Sequence, residues 1–234
     1  MTFSLNSLSK KTLPAILLIL LAGIIVYSNT FQVPFVLDDQ SSIVNNVAIR
    51  KPGNVFYAYK LGHKFLQNRF IVFLTFALNY QFGGLNVTGF HVVNLLIHLL
   101  SALLVYALLR LTFQTPYFQQ AAVGPEPETT PNSSLLTPHF SIPLFAALLF
   151  VVHPVQMQAV TYVVQRMTSL ATMFYLLSMV MYVKARLEIE KSKVKSKELE
   201  VRSKELGVSG KESEDRSQEP GENKDLSQFL SSEF

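Results

Sequence analysis

Two adjacent carboxylates, Asp38 and Asp39, stand out because acidic side chains are rare in most of this sequence. The first 183 residues contain only two others, Glu126 and Glu128, against nine Lys and Arg. Neighbouring carboxylates repel each other, so one pKa tends to rise, and such a group at a membrane–water boundary can act as a base or a cation ligand. The alternative is a solvated turn, because Asp is a common turn residue.

Polar side chains recur at helical spacing within two apolar stretches. The first set shares one helix face and comprises His91, Asn94, His98 and Ser101. The second set has the same spacing and comprises Gln158, Thr161, Gln165, Thr168 and Thr172. Polar groups at membrane depth usually face the protein interior, where they bind ligands or hydrogen-bond neighbouring helices. Both roles stay open, although two His seven residues apart are not a zinc signature without a third ligand.

The composition is that of a membrane protein with a polar carboxyl-terminal tail. Of 234 residues, 49% are hydrophobic and 15% are charged, with 18 Phe and no Trp. The sequence has no Cys, which excludes disulfides, thiolate metal ligands and cysteine nucleophiles. The excess positive charge is dispersed over the ends of apolar segments, so it relates to membrane orientation rather than to nucleic-acid binding.

We predict an all-α fold: an integral membrane helical bundle of about four transmembrane helices, with an interfacial helix in the first outer loop and a disordered polar tail. The predicted segments are a cytoplasmic amino end at 1–12, a membrane domain at 13–186 with spans near 13–30, 90–111, 138–153 and 160–183, an outer loop at 31–89, a cytoplasmic loop at 112–137, and a low-complexity cytoplasmic tail at 187–234.

Basic residues fix the predicted orientation. Lys10 and Lys11 precede the first span, and Lys184 and Arg186 follow the last one, so both termini are expected in the cytoplasm. We therefore predict a multi-pass protein of a bacterial inner membrane, or of the endoplasmic reticulum membrane if the source is eukaryotic. The tail is rich in Ser, Glu and Lys, and this composition is typical of disorder.

Three segments taken together resemble one family. They are FVLDDQ at 35–40, RFIVFLTFALNYQFGGLNVTGFHVVNLLIHLL at 69–100 and AALLFVVHPVQMQAVTYVVQRMTSLATMFYLL at 146–177. They are similar to the amino-terminal part of the membrane O-mannosyltransferases whose carboxyl part consists of tetratricopeptide repeats, and to their bacterial relatives. These are C-fold glycosyltransferases, and the resemblance covers roughly residues 13–186.

The resemblance implies a set of site residues. Asp38 and Asp39 match the acidic pair that is expected to supply the catalytic base. The substrate-binding residues that the resemblance implies are His91, Asn94, His153 and Arg166. Arg69 is a further candidate, with Arg166 and His153, for the cation that offsets the charge of the leaving phosphate. Such a reaction needs a base for the acceptor hydroxyl and a cation to offset the charge of the leaving phosphate. We expect no cofactor and no metal, because nothing in the sequence indicates a divalent cation.

We expect a fragment or truncated form of a membrane glycosyltransferase. Its reaction would transfer a sugar, expected to be mannose, from a polyprenyl-phosphate carrier to a hydroxyl acceptor. The implied partners are membrane lipid, this donor, a protein or glycan acceptor and the missing carboxyl-terminal half as a separate chain, but no nucleic acid. An alternative is a non-catalytic bundle or subunit that docks to a partner protein, and it is favoured by the missing spans and by a tail that does not match the family. Gln158 stands where many relatives have an acid, which removes a candidate second carboxylate or metal ligand. A small transporter or channel subunit is a third reading, based only on the polar helix faces.

Overall fold

The computed structural model describes residues 12–62, 68–121 and 138–216. All regular structure in these ranges is helical, so the all-α prediction is confirmed for the described residues. The chain divides into two compact units, Met1–Ala185 and Arg186–Phe234. Most of the predicted amino end, most of the cytoplasmic loop and the last part of the tail lie outside the described residues.

Short irregular segments separate the helices of the described residues. The α-helices are α1 (Thr12–Val26), α2 (Pro52–Lys60), α3 (Phe70–Gly83), α4 (Val87–Thr112), α5 (Pro116–Ala121), α6 (Pro138–Val152), α7 (Met157–Thr161) and α8 (Arg166–Arg216). Local sequence explains several of their starts: Pro52 opens α2, and the Asn86 side chain accepts a hydrogen bond from the Thr88 N–H at 3.1 Å to cap α4.

Within the described ranges, two helical stretches are long and apolar enough to cross a membrane, namely Val87–Thr112 and Val163–Lys204. A third candidate is the pair Ile142–Val152 and Pro154–Thr161, which is bent by 49°. The predicted first span contains α1, but this helix has 15 residues and a length of about 22 Å, less than the hydrocarbon core of about 30 Å. The membrane assignment is therefore supported, and the number of four spans stays a prediction.

The helices around α4 pack in close contact at Gly23 of α1. A Cβ atom at this position would lie 2.4 Å from Leu99 Cδ2 of α4 and 3.0 Å from Val151 Cγ2 of α6. A larger residue at this position would force the buried Leu99 side chain to shift. The opposite face of α1 carries exposed Leu and Ile side chains, as expected for contact with lipid.

The interfacial helix that the sequence predicts corresponds to α3, which begins at Phe70 and extends to Gly83. Phe73 and Phe76 of this helix are fully buried, in a core that also contains Phe90 of α4. The helix therefore packs against the protein along one side, and its position relative to the membrane surface stays a prediction.

In the second unit, α8 continues as a helix to Arg216. This segment is rich in Lys, Glu, Arg and Leu, which are good helix formers. Glu200 accepts a hydrogen bond from the Lys204 ammonium at 2.8 Å, an i,i+4 pair that supports the helix. Residues 217–234 lie outside the described part of the chain.

Candidate functional site

The acidic pair follows a residue with an unusual backbone conformation. Leu37 has a φ of 48°, in the left-handed region that few side chains other than Gly, Asn and Asp adopt. A π-helix at Gln40–Val44 comes directly after the pair, and such segments are frequent at functional sites. Phe35 packs edge-on against Phe90 of α4, with ring centroids 5.3 Å apart. The pair thus lies in an irregular segment that is held against α4.

Asp39 points into the protein and is fully buried. Its Oδ2 accepts the Val36 N–H at 3.2 Å, and its Oδ1 accepts the Val164 N–H at 2.8 Å. Burial raises the pKa of Asp39 above its ordinary value, whereas the backbone hydrogen bonds and the charge of His91 act in the opposite direction. Asp39 therefore connects the first outer loop to the segment that precedes α8.

Asp38 points outward and lines a cleft of about 390 Å³. Its backbone N–H donates a hydrogen bond to Tyr162 Oη at 3.2 Å, which fixes the backbone and leaves the carboxylate exposed. The other residues that line the cleft are Ser41, Ser42, Arg69, Tyr162, Val164, Gln165, Met167 and Thr168. One of the two predicted acids thus shares an open cleft with Arg69, a predicted substrate-binding cation.

His91 and Asn94 contact backbone carbonyl groups of two other segments. His91 is fully buried, with Nε2 2.8 Å from the Val33 carbonyl oxygen and Nδ1 3.4 Å from that of Val160. The Asn94 amide donates to the carbonyl oxygens of Val160 and Val163, each at 3.4 Å. The two side chains therefore hold the outer loop and the α7 segment against α4, and neither is open to a ligand.

Arg166 is fully buried at the start of α8 and is bound by neutral groups. Its guanidinium donates to four oxygens: Asn94 Oδ1 at 2.7 Å, Asn79 Oδ1 at 2.7 Å, Thr75 Oγ1 at 3.2 Å and the Phe90 carbonyl at 2.9 Å. The cation also lies over the ring of Phe76, 4.7 Å from its centroid. These charge-assisted bonds offset the cost of burying the charge, and they join α3, α4 and α8.

His153 lies apart from both of these groups. It is exposed at the bend that follows α6, and its Nδ1 accepts the Val155 N–H at 3.2 Å, which caps the next short helix. The structure therefore brings Asp38 and Arg69 together in the cleft, and it gathers His91, Asn94 and Arg166 in a buried cluster behind it. His153 lines neither the cleft nor the cavity beside it.

The polar stretch that begins at Gln158 differs from the single long helix expected there. It breaks between α7 and α8, where Tyr162 has an extended backbone and a 3₁₀ turn covers Val163–Gln165. The break is possible because Asn94 binds two of its carbonyl groups and Asp39 binds one of its N–H groups. Side chains from two distant segments thus satisfy the backbone groups that a continuous helix would have paired.

A second cavity of about 220 Å³ lies beside the cleft, and most of its lining residues carry polar side chains. Gln165 and Thr168 line both spaces, and Thr168 Oγ1 donates to Gln165 Oε1 at 3.0 Å. The other polar residues of this cavity are His98, Ser101, Gln156, Gln158, Ser169 and Thr172. Much of the predicted polar face of 158–172 therefore lines this cavity.

Sequence reasoning did not identify Tyr162 as a site residue, since it stands in an apolar run without a motif of its own. The sequence showed that Gln165 and Thr168 belong to a polar helix face, but it did not show that they line both the cleft and the cavity beside it. Among the described residues, no three His, Asp or Glu side chains converge in a way that could hold a metal ion.

The chain is similar in sequence to protein O-mannosyl-transferases of animals. It is 32% identical over 168 residues to human protein O-mannosyl-transferase TMTC4, which covers 68% of this chain and 21% of the relative. It is 35% identical over 178 residues to Drosophila melanogaster protein O-mannosyl-transferase Tmtc3, which covers 71% of this chain and 19% of the relative. The chain thus spans about a fifth of the length of the curated relatives it matches. No family model and no solved structure matches it.

Proposed function

Because the chain is a relative of the TMTC protein O-mannosyl-transferases, we propose that its membrane domain takes part in sugar transfer. The sugar, expected to be mannose, would pass from a polyprenyl-phosphate carrier to a hydroxyl group of a protein or glycan. The observation that carries the proposal is the cleft in which an exposed carboxylate, Asp38, and a cation, Arg69, line the same space. Glycosyl transfer of this type needs both groups.

In the proposed reaction, Asp38 accepts the proton of the acceptor hydroxyl as the hydroxyl oxygen bonds to the anomeric carbon of the sugar. The bond between this carbon and the phosphate oxygen breaks, and the polyprenyl phosphate leaves with the electron pair. Arg69 offsets the negative charge on the leaving phosphate. Asp39 has no part in the proton transfer, because both of its oxygens are bound to backbone N–H groups inside the protein.

The cavity beside the cleft supports a carbohydrate substrate. Its amide and hydroxyl groups, such as those of Gln158, Gln165 and Ser169, can donate and accept hydrogen bonds without a net charge, which matches the hydroxyl groups of a sugar ring. It opens next to the charged cleft through the shared residues Gln165 and Thr168. A sugar in this cavity would present its anomeric carbon and phosphate towards Asp38 and Arg69.

His91, Asn94 and Arg166 act in this proposal as positioning residues. They contact backbone and side-chain groups of the protein and fix the segment that carries Tyr162 and Gln165. On the same proposal the chain crosses the membrane several times, both termini face the cytoplasm, and the cleft opens on the opposite side. A lipid-borne donor would reach such a cleft from the bilayer.

The proposal is tested with the full chain in proteoliposomes that contain polyprenyl-phosphate [³H]mannose and a mixture of Ser- and Thr-containing peptides. Label is counted in the peptides and also as free mannose, because water can replace an unsuitable acceptor. We expect Asp38→Asn to lower both products about 10²-fold or more, whereas the exposed Lys51→Gln serves as a control and retains full activity.

Two results would contradict the proposal. Equal product formation by the wild type and Asp38→Asn would remove the catalytic role of this carboxylate. Absence of any product from a folded wild-type chain would instead support the other function considered, a non-catalytic membrane bundle that docks to a partner protein.

A further inference from the structure

A groove of about 350 Å³ between α1 and α4 lies far from the cleft. Its walls are apolar, and polar groups stand at one end of it. The lining residues are Thr12, Ile16, Leu103, Tyr106, Ala107, Arg110, Leu111 and Gln114. Arg110 follows His91 by 19 positions on the same helix, which is about 28 Å at 1.5 Å per residue. Since the hydrocarbon core is about 30 Å thick, the groove lies at the opposite membrane surface from the acidic pair.

Tyr106 provides the first sign that the groove has a ligand. Its side chain is 3% exposed, and its hydroxyl is the buried polar atom without a hydrogen-bond partner in the described part of the chain. A buried hydroxyl that lacks a partner costs about 1–3 kcal/mol, so native structures rarely retain one without a reason. Tyr106 lines the groove, so an acceptor bound there that reaches the hydroxyl would satisfy it.

Arg110 provides the second sign. One of its Nη atoms donates to Thr12 Oγ1 at 2.7 Å, and its guanidinium lies 5.6 Å from the centroid of the Tyr106 ring. Among the described residues it forms no ion pair. A half-buried cation at the end of an apolar groove therefore has donors left for an anion, next to the unpartnered hydroxyl.

We propose that this groove binds a membrane lipid with a phosphate headgroup. The phosphate oxygens accept hydrogen bonds from Arg110 and from the Tyr106 hydroxyl, and one acyl chain lies along the apolar side chains of Ile16, Leu103 and Leu111. A soluble phosphate would satisfy the two donors but would leave these walls in contact with water. A neutral lipid would cover the walls but would leave the cation without an anion. This site is independent of the proposed sugar transfer.

The test uses the full chain, purified in detergent and delipidated, with dioleoyl phosphatidylglycerol as the probe and native mass spectrometry as the readout. We expect one tightly retained lipid on the wild type. Tyr106→Phe removes only the hydroxyl and should weaken retention about tenfold, and Arg110→Gln should weaken it at least as much. The thermal melting temperature of lipid-free Tyr106→Phe should equal or exceed that of the wild type, which shows that the fold is intact.

Two competitors and one control variant distinguish the sources of binding. Dioleoylglycerol, which lacks the phosphate, and glycerol phosphate, which lacks the chains, should both fail to displace the lipid. Arg186→Gln, an exposed basic residue of the second unit, should retain the lipid as the wild type does. Equal retention by all variants, displacement by glycerol phosphate, or an equal loss in Arg186→Gln would overturn the proposal. Occupancy of the groove by residues 1–11 would give the first of these results.

Discussion

The two adjacent carboxylates should respond oppositely to the same conservative substitution. Asp39→Asn keeps the shape of the side chain, but only one of its terminal atoms remains an acceptor. If the amide oxygen keeps the shorter bond to the Val164 N–H at 2.8 Å, the NH₂ group faces the Val36 N–H. A buried donor that loses its acceptor costs about 1–3 kcal/mol. For a chain of this size each kcal/mol lowers the melting temperature by roughly 2–4 °C.

Asp38→Asn changes an exposed side chain that interacts with the Tyr162 hydroxyl, an interaction that the amide oxygen can keep. The backbone of Asp38 also makes two hydrogen bonds: its N–H donates to Tyr162 Oη and its carbonyl accepts from Ser41 Oγ. These bonds survive the substitution, so the change in stability should stay within about 0.5 kcal/mol. The loss of the proposed base should lower sugar transfer about 10²-fold or more.

The measurement is a pair of assays on the same preparations, thermal melting in detergent and sugar transfer in proteoliposomes. We expect Asp39→Asn to melt several degrees lower, with transfer that follows the folded fraction, and Asp38→Asn to melt as the wild type does without transfer. The reasoning is refuted if Asp39→Asn melts normally and is inactive while Asp38→Asn transfers normally, since the buried carboxylate would then be the base.

Three further predictions test the packing around the site. Burial raises the pKa of Asp39, so the native state binds more protons than the unfolded state at pH values between 3.8, the ordinary pKa, and the raised pKa. Stability should therefore increase as the pH falls through this window. The melting temperature of Asp39→Asn should lack this increase. Arg166→Lys keeps the charge but cannot bridge the same acceptors, and we expect it to cost about 2–3 kcal/mol in unfolding free energy, with an unchanged melting temperature as the contrary result. Gly23→Ala places a Cβ 2.4 Å from Leu99 Cδ2 and should lower the free energy of unfolding by about 1–3 kcal/mol. In the control Gly53→Ala, the new Cβ meets nothing within 4 Å, so this change should be neutral or stabilising. Equal effects of the two substitutions would contradict the close packing of α1.

Periodicity predicted those features that depend on one helix at a time. His91, Asn94, His98 and Ser101 were expected on one face, and all four are buried. This expectation succeeded because α4 is regular over 26 residues, so the 3.6-residue repeat alone decides which side chains point inward.

Features that depend on distant segments could not be predicted in this way. The break after Thr161 requires the Asn94 amide and the Asp39 carboxylate, which lie far away in the sequence. The difference between Asp38 and Asp39 has the same origin, since only the position of Val164 shows which carboxylate is bound. Arg69 was predicted as one of three cations that could offset the charge of the leaving phosphate, and only the folded chain shows that it lines the same cleft as Asp38.

The direction of the Asp38 side chain depends on its neighbours. The Asp38 carboxylate interacts with the Tyr162 hydroxyl. The backbone on either side of it is also fixed, because the Asp39 carboxylate is bound through both oxygens and Leu37 adopts its left-handed conformation. Asp39 thus helps to orient the segment, whereas Asp38 carries the carboxylate proposed to react. A mutation that loosens the inner acid would leave the outer acid chemically intact but misdirected, so sequence comparison of position 38 alone would not reveal which homologues keep a usable base.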